Sequence, residues 1–104
     1  MYNDVIMIKT FRDKETEKIY NQEFSSKLPN NIQRIALRKL IMIDNAKNIN
    51  DLCVPPNNRL EKLSGDREGQ YSIRINDQFR ICFREDSCDF YNVEITDYHL
   101  DRKG

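Results

Sequence analysis

Histidine is nearly absent from this chain, with one residue, His99, in 104. The three cysteines, Cys53, Cys82 and Cys88, are odd in number and form no CxxC pair. A structural zinc site draws four ligands from these residue types, so no metal site and no cofactor is expected. Free thiols fit a reducing compartment. No apolar run approaches the roughly 18 residues that span a bilayer, so no membrane contact is expected. The chain opens without a basic segment followed by an apolar one, so no signal peptide is expected. Net charge is also missing: 17 Lys and Arg balance 17 Asp and Glu. That argues against a broad, sequence-independent nucleic-acid binder. It leaves room for a local basic patch, because the field depends on arrangement. There is no repeat, low-complexity tract or second domain. These absences describe a single cytoplasmic domain over residues 1–104, with residues 1–6 as a flexible leader and 100–104 as a frayed tail. Met7 is an alternative start.

What is present falls into two halves. The apolar fraction of 38% is low and the charged fraction of 33% is high, yet a chain of this length still buries well over half of its unfolded surface. MIKTF, from Met7, reads as a strand. RDKETEKIYNQEF, residues 12–24, reads as a short helix with Asp13 as N-cap and acids in its first turn; Ile19, Tyr20 and Phe24 form its apolar stripe. Past Pro29, residues Ile32, Ile35, Ala36, Leu40 and Ile43 recur at helical spacing, widened by Leu37 and Ile41. Arg34, Arg38 and Lys39 fall on the wet side. Pro55 and Pro56 mark a joint that resists helix and sheet alike. From Arg59 onward the period becomes two, predicting strands in NRLEKLS, GQYSIRIN, QFRICFRE and FYNVEITDYH. The order predicts an α+β layer, with an N-terminal strand and two helices packed on one face of a curved, mainly antiparallel sheet.

Residues 64–83, SGDREGQYSIRINDQFRICF, carry the first functional signal. Tyr71, Ile73, Ile75, Phe79, Ile81 and Phe83 alternate with Ser72, Arg74, Arg80 and Arg84, so the two sets point to opposite faces. Helices over the apolar face leave Ser72, Arg74, Arg80, Arg84, Asn92 and Glu94 on an uncovered concave one. Six cations (Arg59, Lys62, Arg67, Arg74, Arg80, Arg84) stand against four acids (Glu61, Asp66, Glu68, Asp77) in this region. The planar fork of arginine matches phosphate oxygens, which makes this face a phosphate surface. For Arg74 and Arg84 the ordinary alternative, polar residues on a half-exposed strand, stays open. The second signal is EITDYH, which places Asp97, Tyr98 and His99 together. Histidine exchanges protons near neutrality, and tyrosine does so when cations lower its pKa; for a lone histidine such as His99 the ordinary alternative, a surface residue, stays open.

Three pieces together, MIKTF, RLEKLSGDREGQYSIRINDQFRICF and VEITDYH, resemble the HigB toxins of the RelE/ParE superfamily, across 93 of the 104 residues. The resemblance implies a small α+β toxin of a type II toxin–antitoxin system. It implies a ribosome-dependent mRNA endonuclease that works without metal by attack of a ribose 2′-hydroxyl on the adjacent phosphate. Its implied partners are the ribosome and mRNA, a HigA-type helix-turn-helix antitoxin, and operator DNA only through that antitoxin. Position by position, Arg80 matches the arginine that holds the scissile phosphate. Asp97, Tyr98 and His99 match the ending that transfers protons and positions substrate. Arg67 matches a basic loop position or, equally, a turn anchor bound to a carboxylate. Arg74, Lys62 and Arg84 complete an RNA-binding set. One departure stands out: relatives carry a histidine and a lysine before the GDR turn, where this chain has Glu61 and Ser64. Lys62 is one position out of phase, on the other strand face. Glu61 is then a candidate base in place of the histidine or, equally, a surface residue. Two alternatives remain open: a ParE-like gyrase binder without nuclease chemistry, and a weakened toxin kept as antitoxin partner and operon corepressor.

Overall fold

The computed structural model describes residues 7–97. The apolar repeat after Pro29 forms helix α2, Asn30–Asn45, and buries Ile32, Ala36, Leu40 and Ile43 along one stripe. Pro29 is its N-cap, where a missing N–H leaves no helical bond unmade. Helix α1 spans Lys14–Tyr20 and is shorter than the expected 12–24. Gln22 ends it at φ 65. Its left-handed backbone folds the last turn shut, with Gln22 N donating to Ile19 O at 2.9 Å and Glu23 N to Lys18 O at 2.8 Å. Beyond that turn Phe24 does not join the apolar stripe and is 65% exposed, while the next residue, Ser25, is buried. Two α2 residues also depart from the expected pattern. Ile41 is exposed, and Lys39, assigned to the wet side, is buried at 5%.

Four strands follow: β1 Glu61–Lys62, β2 Gln70–Arg74, β3 Phe79–Asp86 and β4 Asp89–Asp97, in sheet order β1-β2-β3-β4 and antiparallel throughout. The double-proline joint takes the form of two short 3-10 turns, Ile49–Cys53 and Pro56–Asn58. The segment 7–12 runs parallel to β4 along its outer edge, bridging Ile8 to Phe90 and Phe11 to Val93. A bulge in β4 explains why this edge is bridged and not continuously paired. Asn92 adopts φ 54, and its N–H is taken by Thr10 Oγ1 at 2.8 Å. The bulge also breaks strict alternation, turning Phe90 inward together with Val93 and Ile95. Phe90 meets Phe83 edge-on at 5.3 Å in the core. The result is the expected α+β layer, with helices on one face of an antiparallel sheet. Among the described residues, no helix is long and apolar enough to cross a membrane.

Candidate active site

Strand register decides which polar side chains meet. Directly opposed residues on neighbouring strands share a face. One row across the sheet is Glu61, Ser72, Cys82 and Glu94; the next is Arg74, Arg80 and Thr96. All of these point away from the helix-side core formed by Ile73, Ile81 and Phe83. Lys62 pairs with Tyr71, so it lies on the helix side and does not join the arginine face. This corrects its grouping with Arg67, Arg74 and Arg84 as one RNA-binding set, for the reason that a one-residue shift on a strand reverses the face.

The arginine face is not uncovered at its centre. Ser72 is 0% exposed, Arg80 5% and Cys82 1%. The expected outward, solvent-facing Arg80 is instead laid flat on the sheet. Its Nε donates to Ser72 Oγ at 2.7 Å, and its Nη2 donates to Arg59 O at 2.6 Å and more weakly to Ser72 O at 3.4 Å. The long arginine stem itself covers the strand surface while its head finds backbone acceptors. Glu61 Oε1 lies 3.8 Å from Arg80 Nη2, with its side chain 47% exposed. A guanidinium held at several points beside an accessible carboxylate is a cation fixed before any substrate arrives.

Around this centre the other expected site residues separate. Arg67 Nη1 donates to Glu94 Oε2 at 2.8 Å and to Gln70 Oε1 at 3.0 Å, which is the turn-anchor reading of that residue. Arg12 also approaches Glu94, at 3.8 Å. Arg74 is half-buried and pairs with the exposed Asp77 at 2.5 Å. Arg84 is exposed, and its guanidinium lies over Gly69. Asp97 pairs in register with Phe79, one position out of phase with Arg80, and accepts from Gln78 Nε2 at 2.9 Å. Tyr98 and His99 lie outside the described residues. Among the described residues, no group of three His, Cys, Asp or Glu is placed to hold a metal ion.

The chain pattern did not reveal the residues that hold Arg80. Ser72 was readable in principle, because once the turn at Asn76 and Asp77 is placed, pairing brings position 72 diagonally beside 80. The Arg59 carbonyl carries no side-chain signal. Behind it, Asn58 is 0% exposed and accepts from the buried Lys39 Nζ. Burial, reinforced by the nearby Arg38 and Arg74 charges, pushes the Lys39 ammonium below its usual pKa.

Comparison with known proteins bears on the family. Residues 9–103 match the family described as the RelE-like toxin of type II toxin–antitoxin system HigB. A protein named Toxin HigB-1 from Vibrio cholerae serotype O1 is 39% identical over 79 residues, covering 75% of this chain and 83% of its own length. Endoribonuclease HigB from Proteus vulgaris is 36% identical over 98 residues, covering 89% of this chain and 100% of its own length. An uncharacterised Haemophilus influenzae protein is 38% identical over 92 residues, covering 88% and 86%. A match across most of the chain, on an α+β fold of the expected layering, places it: the chain belongs to the HigB-like family of RelE-like toxins of type II toxin–antitoxin systems.

Proposed function

We propose that this protein is a cytoplasmic, ribosome-dependent mRNA endonuclease that arrests translation and is neutralised by a HigA-type helix-turn-helix antitoxin, through which alone it reaches operator DNA. The observation that carries the reading is the Arg80 guanidinium, immobilised by Ser72 and Arg59 beside Glu61. The name of the Proteus vulgaris relative supports the nuclease class.

The reaction is in-line attack of a ribose 2′-oxygen on the adjacent phosphorus. A P–O2′ bond forms, the P–O5′ bond breaks, and no metal takes part. Negative charge grows on the non-bridging oxygens, where Arg80 supplies a fixed counter-charge; one such donor contributes about 100- to 1000-fold. In this reading Glu61, 3.8 Å from Arg80, accepts the 2′ proton. A general base or acid of this kind contributes roughly 100- to 10,000-fold. Tyr98 and His99, with Asp97, are assigned to proton transfer at the leaving 5′-oxygen and to substrate positioning. Arg74 and Arg84 attract the RNA backbone, and Arg67 holds the GDR loop in place through Glu94. The carboxylate at position 61 favours one variant of this reading: a slow nuclease whose weight in the cell lies in antitoxin pairing and operon corepression.

The test is a reconstituted translation system with purified protein and its Arg80→Ala variant. Primer extension is read on a defined message with and without ribosomes. Cuts that need both the ribosome and Arg80 are expected. Intact message and normal translation would remove the nuclease reading and leave gyrase inhibition or partner binding.

A further inference from the structure

Lys39 sits on α2 next to Leu40 and is as buried as the core around it. Among the described residues no carboxylate pairs with it. Its Nζ donates instead to the Oδ1 of Asn58. Asn58 in turn donates from Nδ2 to Leu52 O at 3.1 Å, to Val54 O at 3.4 Å and to Met42 Sδ at 3.1 Å. One amide thus gathers the helix layer and the double-proline joint. The next residue, Arg59, has a left-handed backbone at φ 46. Its N–H closes on Pro56 O at 3.0 Å, and its carbonyl receives Arg80 Nη2 at 2.6 Å. The path from Lys39 to the arginine on the opposite sheet face is therefore one amide and one peptide step between two hydrogen bonds.

We propose that Lys39 is a positioning residue for cleavage: by fixing Asn58 it sets the Arg59 carbonyl against which the Arg80 guanidinium is held. The inference rests on the role given to Arg80 above. If packing alone mattered, methionine would fill this buried place without desolvating a charge. A charged donor instead makes a shorter and stronger hydrogen bond to the amide, and that stiffness is what registers the loop. A contiguous path becomes coupling only when a perturbation at one end is read at the other.

The experiment is Lys39→Met in the full chain, with the Nε–H resonance of Arg80 read in 15N-labelled protein and single-turnover cleavage measured on programmed ribosomes. The Arg80 signal, bonded to Ser72 Oγ in the parent, is expected to shift and to exchange faster with water. The cleavage rate is expected to fall by up to about 100-fold while KM holds, since small misplacements of a reacting group cost that much. Lys39→Arg provides a second variant should Lys39→Met not fold. Its longer planar head displaces the Asn58 amide and moves the same signal. An unchanged Arg80 signal in either folded variant overturns the proposal. So does a displaced signal with parental cleavage, provided that Arg80→Ala is inactive. If Arg80→Ala itself cleaves like the parent, the reading of Arg80 fails instead, and the two failures are told apart.

Discussion

Arg80→Ala is the substitution on which most depends, and its effects on stability and on catalysis are read separately. The parent side chain is 6% exposed, so the change is not a surface truncation. It strips Arg59 O of a 2.6 Å donor and Ser72 Oγ of a 2.7 Å donor. A buried acceptor left unpaired costs about 1–3 kcal/mol. Ser72 Oγ is a hydroxyl and can turn to another partner, so the Arg59 carbonyl dominates. The bond to Ser72 O at 3.4 Å is long and adds little. A loss near 2.5 kcal/mol follows, and a domain stable by about 5 kcal/mol or more stays folded by roughly 50-fold or better. The catalytic loss is a separate effect, about 100- to 1000-fold for one transition-state donor. Urea titration followed by far-ultraviolet circular dichroism, paired with single-turnover cleavage of ribosome-bound message, separates the two. A variant that is folded in the assay and still cleaves at the parental rate refutes the role of Arg80. A variant that is unfolded in water refutes the stability arithmetic instead.

Three further outcomes are expected. Asn58→Ala removes the acceptor of Lys39 and the donor to Leu52 O; it is expected to cost about 3 kcal/mol by thermal melting, with Lys39→Met recovering part of the loss, since a buried charge without partner is then gone. Tyr20 is pushed up to about 12, first by burial and then by its hydrogen bond to the Asp44 carboxylate and that group's charge. A raised folded pKa means stability that is complete below pH 10 and lost as pH climbs from 10 towards about 12; Tyr20→Phe is expected to lack this loss when urea midpoints are compared across that window. Gly69→Ala meets Arg84 Nη1 at 2.6 Å at a backbone of φ +92; about 1–2 kcal/mol is expected to be lost, and Arg84→Ser in the same chain restores the steric share but not the backbone share, since the conformation itself disfavours a Cβ.

The sequence by itself determined the layer order and the core. Ile32, Ala36, Leu40 and Ile43 at helical spacing, then Ile73, Ile81 and Phe83 at strand spacing, leave few ways to bury both sets at once. It also determined that Arg80 and Arg84 share one face of their strand, because a period of two allows nothing else; the strand register adds Arg74 to that face and sets Lys62 on the other. Only the tertiary structure decided how that face is used. Periodicity says which way a side chain leaves the backbone, not what it then lies against. Arg80 became a buried, anchored cation because a loop from the far side of the double proline presents the Arg59 carbonyl to it. Lys39 is buried because Asn58, 19 residues away, folds back over it. Contacts between an α helix, a turn and a strand separated in sequence depend on loop geometry that no local pattern encodes, and that geometry holds the Arg80 guanidinium in place.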